Sequence, residues 1–194
     1  MQSIDSHFIG NFKDGDNICY NLNVLRALYE AKDCEVVTSP SYLNKPQIIL
    51  IVSVIEAALD DLVYKIRKYT NEGVPNIPDE VNLKVRKNLK SYSKFESYIR
   101  LAAKYDFFDV KGTNFYTRLD ELRKIRNRIH IQNSKQYQPL SEMGVFTQAN
   151  LTLAEKICEY TLKKMSSKFP RNYTARNYVE DFELPWEPHY PDFN

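Results

Sequence analysis

Apolar positions along this chain recur with the period of an α-helix far more than with the alternation of a half-buried strand. In residues 17–31, NICYNLNVLRALYEA, Ile18, Leu22, Leu25 and Leu28 stand at helical spacing and predict a first amphipathic helix. Residues 46–69 open on a β-branched run, IILIVSVI, that by itself reads as a buried strand. The pattern continues without a turn through Ala57, Ala58, Leu59, Leu62, Val63 and Ile66, and that length decides for a central helix. Asn44, two residues ahead of Pro46, is placed to cap it.

Residues 70–78, TNEGVPNIP, carry one Gly and two Pro and predict a connection. Residues 79–106 read as helical, with Leu83, Leu89, Phe95, Ile99 and Leu101 as core positions. One long helix, or two shorter ones meeting near Ser91 and Ser93, satisfies that pattern. After a link containing Gly112, residues 114–131 predict a further helix. Residues 147–166 predict the last, through Leu151, Ala154, Ile157, Cys158, Leu162 and Met165.

From Phe169 onward the chain turns aromatic, acidic and proline-punctuated, ending in LPWEPHYPDFN, where no regular element is expected. Trp186 and its Tyr and Phe neighbours suit an arm docked on a surface. The expected fold is all-α, an up-and-down bundle of about five main helices. The bundle takes up residues 1–168, and the extension 169–194 packs on it or on a partner.

Composition narrows the class without changing it. A hydrophobic content of 43% and only five Gly argue against a turn-rich sandwich or barrel. Cys19, Cys34 and Cys158 show no metal-ligand spacing, so reduced thiols and a cytoplasmic location are expected. The segment MQSIDSHFIGNFKDGD lacks a basic start followed by an apolar core, and IILIVSVI is too short to span a bilayer, so neither a secretory signal nor a membrane partner is expected. No Gly-rich phosphate loop, HExxH or GxSxG is present, and no metal or cofactor is expected.

The net charge of +2 announces no nucleic-acid binder, but its distribution is uneven. Residues 117–130 hold Arg118, Arg123, Lys124, Arg126 and Arg128, whereas residues 180–194 hold five carboxylates and no Lys or Arg. Lys84, Arg86, Lys87, Lys90 and Lys94 form a second basic run, which reads as a solvated helical face or as a track for RNA. His7 and His189 read as surface residues.

The stretch RKIRNRIHIQN, residues 123–133, concentrates cations beside a titratable ring. At about 100° per residue, Arg123, Arg126 and His130 share one helical face, with Asn127 at its border. Leu122, Ile125 and Ile129 point to an adjacent apolar face, and Arg128 points toward solvent. A neutral imidazole can accept the proton of a ribose 2′-hydroxyl while a guanidinium stabilises charge growing on the phosphate, so RNA could be cut without a metal. A bland reading stands beside it: His130 as a helix-end residue favoured by the dipole, among solvated arginines. On the helix over 46–69, Ser53, Glu56 and Asp60 follow one another on an apolar background, and a carboxylate there needs a partner. Glu56, or else Asp60, is expected to pair with Arg123 or Arg126, while Asp60 and Asp61 read as an exposed acidic end.

In Arg126-Asn127 followed by His130, in IEAALDDLV on a preceding helix, and in the order of helices over residues 17–166, the chain resembles the HEPN superfamily of helical bundles. That family's hallmark is an Arg, a polar residue, four to six intervening positions and a His; here three residues separate Arg126 from His130, and six separate Arg123 from it. The resemblance implies a metal-independent endoribonuclease whose site forms across a homodimer, with toxin or antiviral roles among relatives. It also implies inactive relatives that bind RNA, nucleotides or protein partners. Carried over, His130 is the catalytic acid or base, Arg126 the phosphate stabiliser, Asn127 a positioning group, and Arg123 and Lys124 are substrate contacts. A third reading is a scaffold or antitoxin-like protein that grips its partner through the aromatic tail.

Overall fold

The computed structural model describes residues 2–34, 39–88, 91–129, 141–172, 179–190 and 192–193. Among the described residues, seven α-helices and one short two-stranded sheet make it an all-α bundle. Among the described residues, no helix is long and apolar enough to cross a membrane.

Helix α1 spans Phe12–Lys32 and begins earlier than its apolar spacing predicts, because the Asn11 side chain accepts the Lys13 N–H and caps it. Ile18, Leu22 and Leu25 are buried, whereas Leu28 is only half-buried. A 3-10 turn, Pro40–Leu43, leads into α2, Asn44–Lys68, the axial helix of the bundle. Its Ile48, Ile51, Val52, Ile55, Leu59, Leu62 and Ile66 are sealed from water. Asn44 does not cap α2. It is the first helical residue, buried, and its side chain bonds the Phe146 carbonyl and Lys32 instead.

The region 79–106 divides into α3, Asp79–Lys87, and α4, Phe95–Lys104. The Lys94 N–H reaches the Ser97 hydroxyl at 3.2 Å, which starts α4 afresh. Val81 and Val85 carry α3 into the core; Leu83, expected there, is 55% exposed. Leu89 lies outside the described residues. Helix α5 runs Phe115–Arg126 and tightens into a 3-10 turn at Asn127–Ile129. A four-residue helix, α6, Glu142–Val145, was not foreseen and precedes α7, Gln148–Lys168. The Thr147 hydroxyl caps α7 by accepting the Asn150 N–H. Leu151, Ala154, Ile157, Cys158, Leu162 and Met165 face the core as their period requires.

The expectation of an irregular arm is corrected by strand β2, Phe182–Leu184, which pairs antiparallel with β1, Gln2–Ile4. Phe182 and Leu184 are buried and Glu183 exposed, the alternation of a strand with one face on a core. Trp186 and Phe193 are buried as well, and Phe193 meets Phe115 and Tyr160 ring to ring at 5.0 Å.

Asp61 and Lys65, one turn apart on α2, hold the segment between β1 and α1. Asp61 is fully buried, not the exposed acid its sequence position suggested, and it accepts the N–H groups of Gly10 and Asn11 at 2.8–3.0 Å. Lys65 lies 3.8 Å from it and donates to the carbonyls of Phe8 and Phe169. The close approach needs Gly10: a Cβ there would stand 2.4 Å from Lys65 Cγ.

Candidate functional site

Helix α5 lies across α2, and the polar stripe at its C-terminal end meets the few polar residues of that apolar helix. Arg126 Nη2 pairs with Glu56 Oε2, its Nε lies 3.5 Å from Ser53 Oγ, and its Nη1 lies 3.4 Å from Asn127 Oδ1. Ser53 in turn donates to the Ile49 carbonyl at 2.8 Å, which orients its oxygen lone pairs toward the guanidinium. The expected pairing of Glu56 with an α5 arginine is therefore present. Asp60, the alternative partner, instead accepts the Tyr98 hydroxyl from α4.

Burial raises the Glu56 carboxyl above its ordinary range, and the Arg126 guanidinium acts in the opposite direction. The pair is only partly covered, with side-chain exposures of 31% for Arg126 and 25% for Glu56.

Arg123 and Lys124 turn to their own helix, where both bind Asp120, at 2.7 and 2.8 Å. Burial pushes the Asp120 carboxyl up, but the hydrogen bonds from Arg123 and Lys124 prevail and hold it below the usual carboxylate range. Asn127 is exposed at the C-cap of α5. Arg128 is a correction: it is 8% exposed and turns inward, while Ile129, expected on the apolar face, is 51% exposed. The backbone departs from α-helical geometry at this point, with Arg128 at φ −82° and ψ 17° in the kinked 3-10 turn that follows Arg126. His130 lies outside the described residues, so the stripe is defined through Asn127.

Two polar clusters had no counterpart in the sequence reading. Arg171 clasps Glu72 through two bonds of 3.1 and 2.9 Å and stacks on Tyr69 at 4.5 Å, beside Lys65. His189 is half-buried, not a free surface residue. Its Nε2 meets Glu155 at 2.8 Å, and Glu155 also accepts the Tyr29 hydroxyl, tying the C-terminal arm to α7 and α1. Neither cluster carries a spacing signal in the sequence, since Glu72 lies far from Arg171, and Tyr29 far from Glu155 and His189, along the chain.

Among the described residues, no group of three or more His, Cys, Asp or Glu is arranged to hold a metal ion. Compared with known proteins, the chain matches no family model, no curated protein and no solved structure.

Proposed function

We propose that this chain is a HEPN-like endoribonuclease that cuts RNA without a metal, at a site formed where two copies bring their α5 ends together. The observation that carries the reading is the anchoring of Arg126 by Glu56 and Ser53 at a half-open margin, which presents a guanidinium in a fixed direction. His130 follows within about one helical turn of it in sequence.

In the proposed reaction His130 removes the ribose 2′-proton, O2′ bonds to the adjacent phosphorus, and the P–O5′ bond breaks. The leaving 5′-oxygen takes up a proton from the partner copy's imidazolium or from water. Arg126 stabilises the charge on the non-bridging oxygens, with Asn127, Arg123 and Lys124 positioning the strand. The products are a 2′,3′-cyclic phosphate and a 5′-hydroxyl end, and DNA, lacking the 2′-hydroxyl, is spared.

The test is cleavage of labelled single-stranded RNA in excess chelator. The wild-type chain is expected to yield cyclic-phosphate ends, and His130→Ala and Arg126→Ala to lose activity by about 100-fold or more while remaining folded. Unchanged cleavage by His130→Ala refutes the mechanism.

A second reading, a non-catalytic module that binds an RNA or nucleotide anion, has its own support: Arg123, Lys124 and Arg126 each already hold a carboxylate partner. It predicts no product, binding that survives His130→Ala, and salt-dependent loss of binding with Arg123 and Arg126 substitutions.

A further inference from the structure

Three helix ends converge well away from the Arg126 stripe, about 18 Å along α2 from Glu56. The last turn of α1 brings Lys32, the first turn of α2 brings Asn44 and Lys45, and the start of α7 brings Thr147 and Gln148. Between them opens a cleft of about 470 Å³. Small-molecule sites commonly occupy roughly 300–1,000 Å³.

The walls are mostly carbon. Pro40, Tyr42, Met143 and Phe146 line the cleft, and Tyr42 and Met143 stand 69% and 79% exposed at its rim. Large apolar side chains gathered in this way around a concavity mark a binding surface.

Lys32 is the polar centre. Its Nζ donates to Asn44 Oδ1 at 2.9 Å and to Gln148 Oε1 at 2.8 Å. Asn44 is buried and donates its own amide to the Phe146 carbonyl, which fixes the oxygen toward Lys32. Both acceptors are neutral, and an ammonium has three N–H groups, so one is left over with no acceptor among the described residues.

The only carboxylate among the described lining residues, Glu142, is spent on Lys45, with both oxygens within 2.8 Å, while Lys45 lies over the Phe146 ring. Burial holds the Lys32 ammonium below the ordinary lysine range, although Glu155 and Asp33 act the other way without touching it. The starts of α2 and α7 add the positive ends of two helix dipoles, and Leu43, at the N-cap of α2, contributes no side-chain acceptor.

We propose that this cleft binds a small aromatic carboxylate, its anionic head on the spare N–H of Lys32 and its ring against Tyr42, Met143 and Phe146. One available cationic donor between carbon walls suits a monoanion with an apolar body better than a phosphate, which needs several donors to offset its desolvation. The assignment is independent of the RNA reading and of His130.

The probe is 2-naphthoate, titrated calorimetrically into the full chain beside its neutral analogue 2-naphthalenemethanol and inorganic phosphate. Naphthoate is expected to bind with a Kd below about 1 mM, and Lys32→Met to weaken it about tenfold or more. The alcohol is expected to bind weakly and equally to both forms, and phosphate more weakly than naphthoate.

A second readout needs no variant. With ¹³C-lysine incorporated during expression, which leaves every ammonium intact, naphthoate should shift the Lys32 Cε resonance ahead of the others. Absence of naphthoate binding, equal affinity for the alcohol or phosphate, an unchanged Kd in Lys32→Met, or shifts confined to other lysines would each overturn the proposal.

Discussion

Replacing Lys65 by Met removes the cation nearest a fully buried carboxylate, and the cost of doing so depends on pH in a way the surroundings of Asp61 dictate. In the wild-type chain, burial raises the Asp61 carboxyl to about 6, against the downward pull of Lys65 and the Gly10 and Asn11 N–H groups. Burial likewise lowers Lys65 to about 8, opposed by Asp61.

The folded state thus holds the Asp61 proton more tightly than the unfolded chain does. The resulting stability is fully present below about pH 4 and is lost as pH rises to about 6, at about 1.4 kcal/mol per unit. Without Lys65 the main downward pull is gone, and the decline continues past pH 6. At about pH 5 Asp61 is mostly neutral in both proteins, and the substitution leaves the Phe8 and Phe169 carbonyls without their donor while relieving the desolvation of a buried ammonium, two effects that oppose each other. At about pH 7.5 the loss exceeds that at pH 5 by ~2 kcal/mol, because Asp61 is then ionised without its counter-charge.

Urea unfolding of both proteins at the two pH values reads this directly as a difference in midpoint. Adding Asp61→Asn to the Lys65→Met chain should abolish the pH-dependent share. Equal losses at both pH values would refute the reasoning.

Other substitutions test separate parts of the fold. Gly10→Ala drives a methyl against the pinned Lys65 stem and should lower stability by about 1–3 kcal/mol in the same urea assay. Tyr29→Phe leaves Glu155 without its hydroxyl donor and should cost about 1–3 kcal/mol, measured as a fall in Tm. Truncation after Lys168 deletes the buried Phe169, Phe182, Leu184, Trp186 and Phe193, and should abolish the cooperative thermal transition seen by circular dichroism. If the chain cleaves RNA, Glu56→Gln releases the Arg126 guanidinium and should slow cleavage about 10–100-fold with little change in the melting curve.

Long helices were legible because their apolar period persists over many turns: α2 and α7 expose almost none of their expected core positions. In the nine-residue α3 the phase has too few turns to be fixed, and Val81 and Val85 took the inward places assigned to Leu83. The Glu56–Arg126 pair could be anticipated because a carboxylate on an apolar face must find a cation. The inward turn of Arg128 could not, since it follows from a change of helix type after Arg126 that the residues do not announce. Asp61 was misplaced for a related reason: its partners are the backbone N–H groups of Gly10 and Asn11, which carry no side-chain signature. Strand β2 is only three residues long, just ahead of Pro185, and is defined by a partner far away in the sequence, at residues 2–4.

That distant pairing imposes an order on biosynthesis. Residues 2–4 are made well before their strand partner at residues 182–184. Domains generally acquire structure as they are made, from the N-terminal side at about 5–20 residues per second. Here β1 must wait unpaired while the residues between the two strands are made, with an unsatisfied edge exposed to other nascent chains. A circular permutant that joins the two strands through a short hairpin and opens the chain elsewhere would make the pairing local, and should therefore fold faster than the natural order allows.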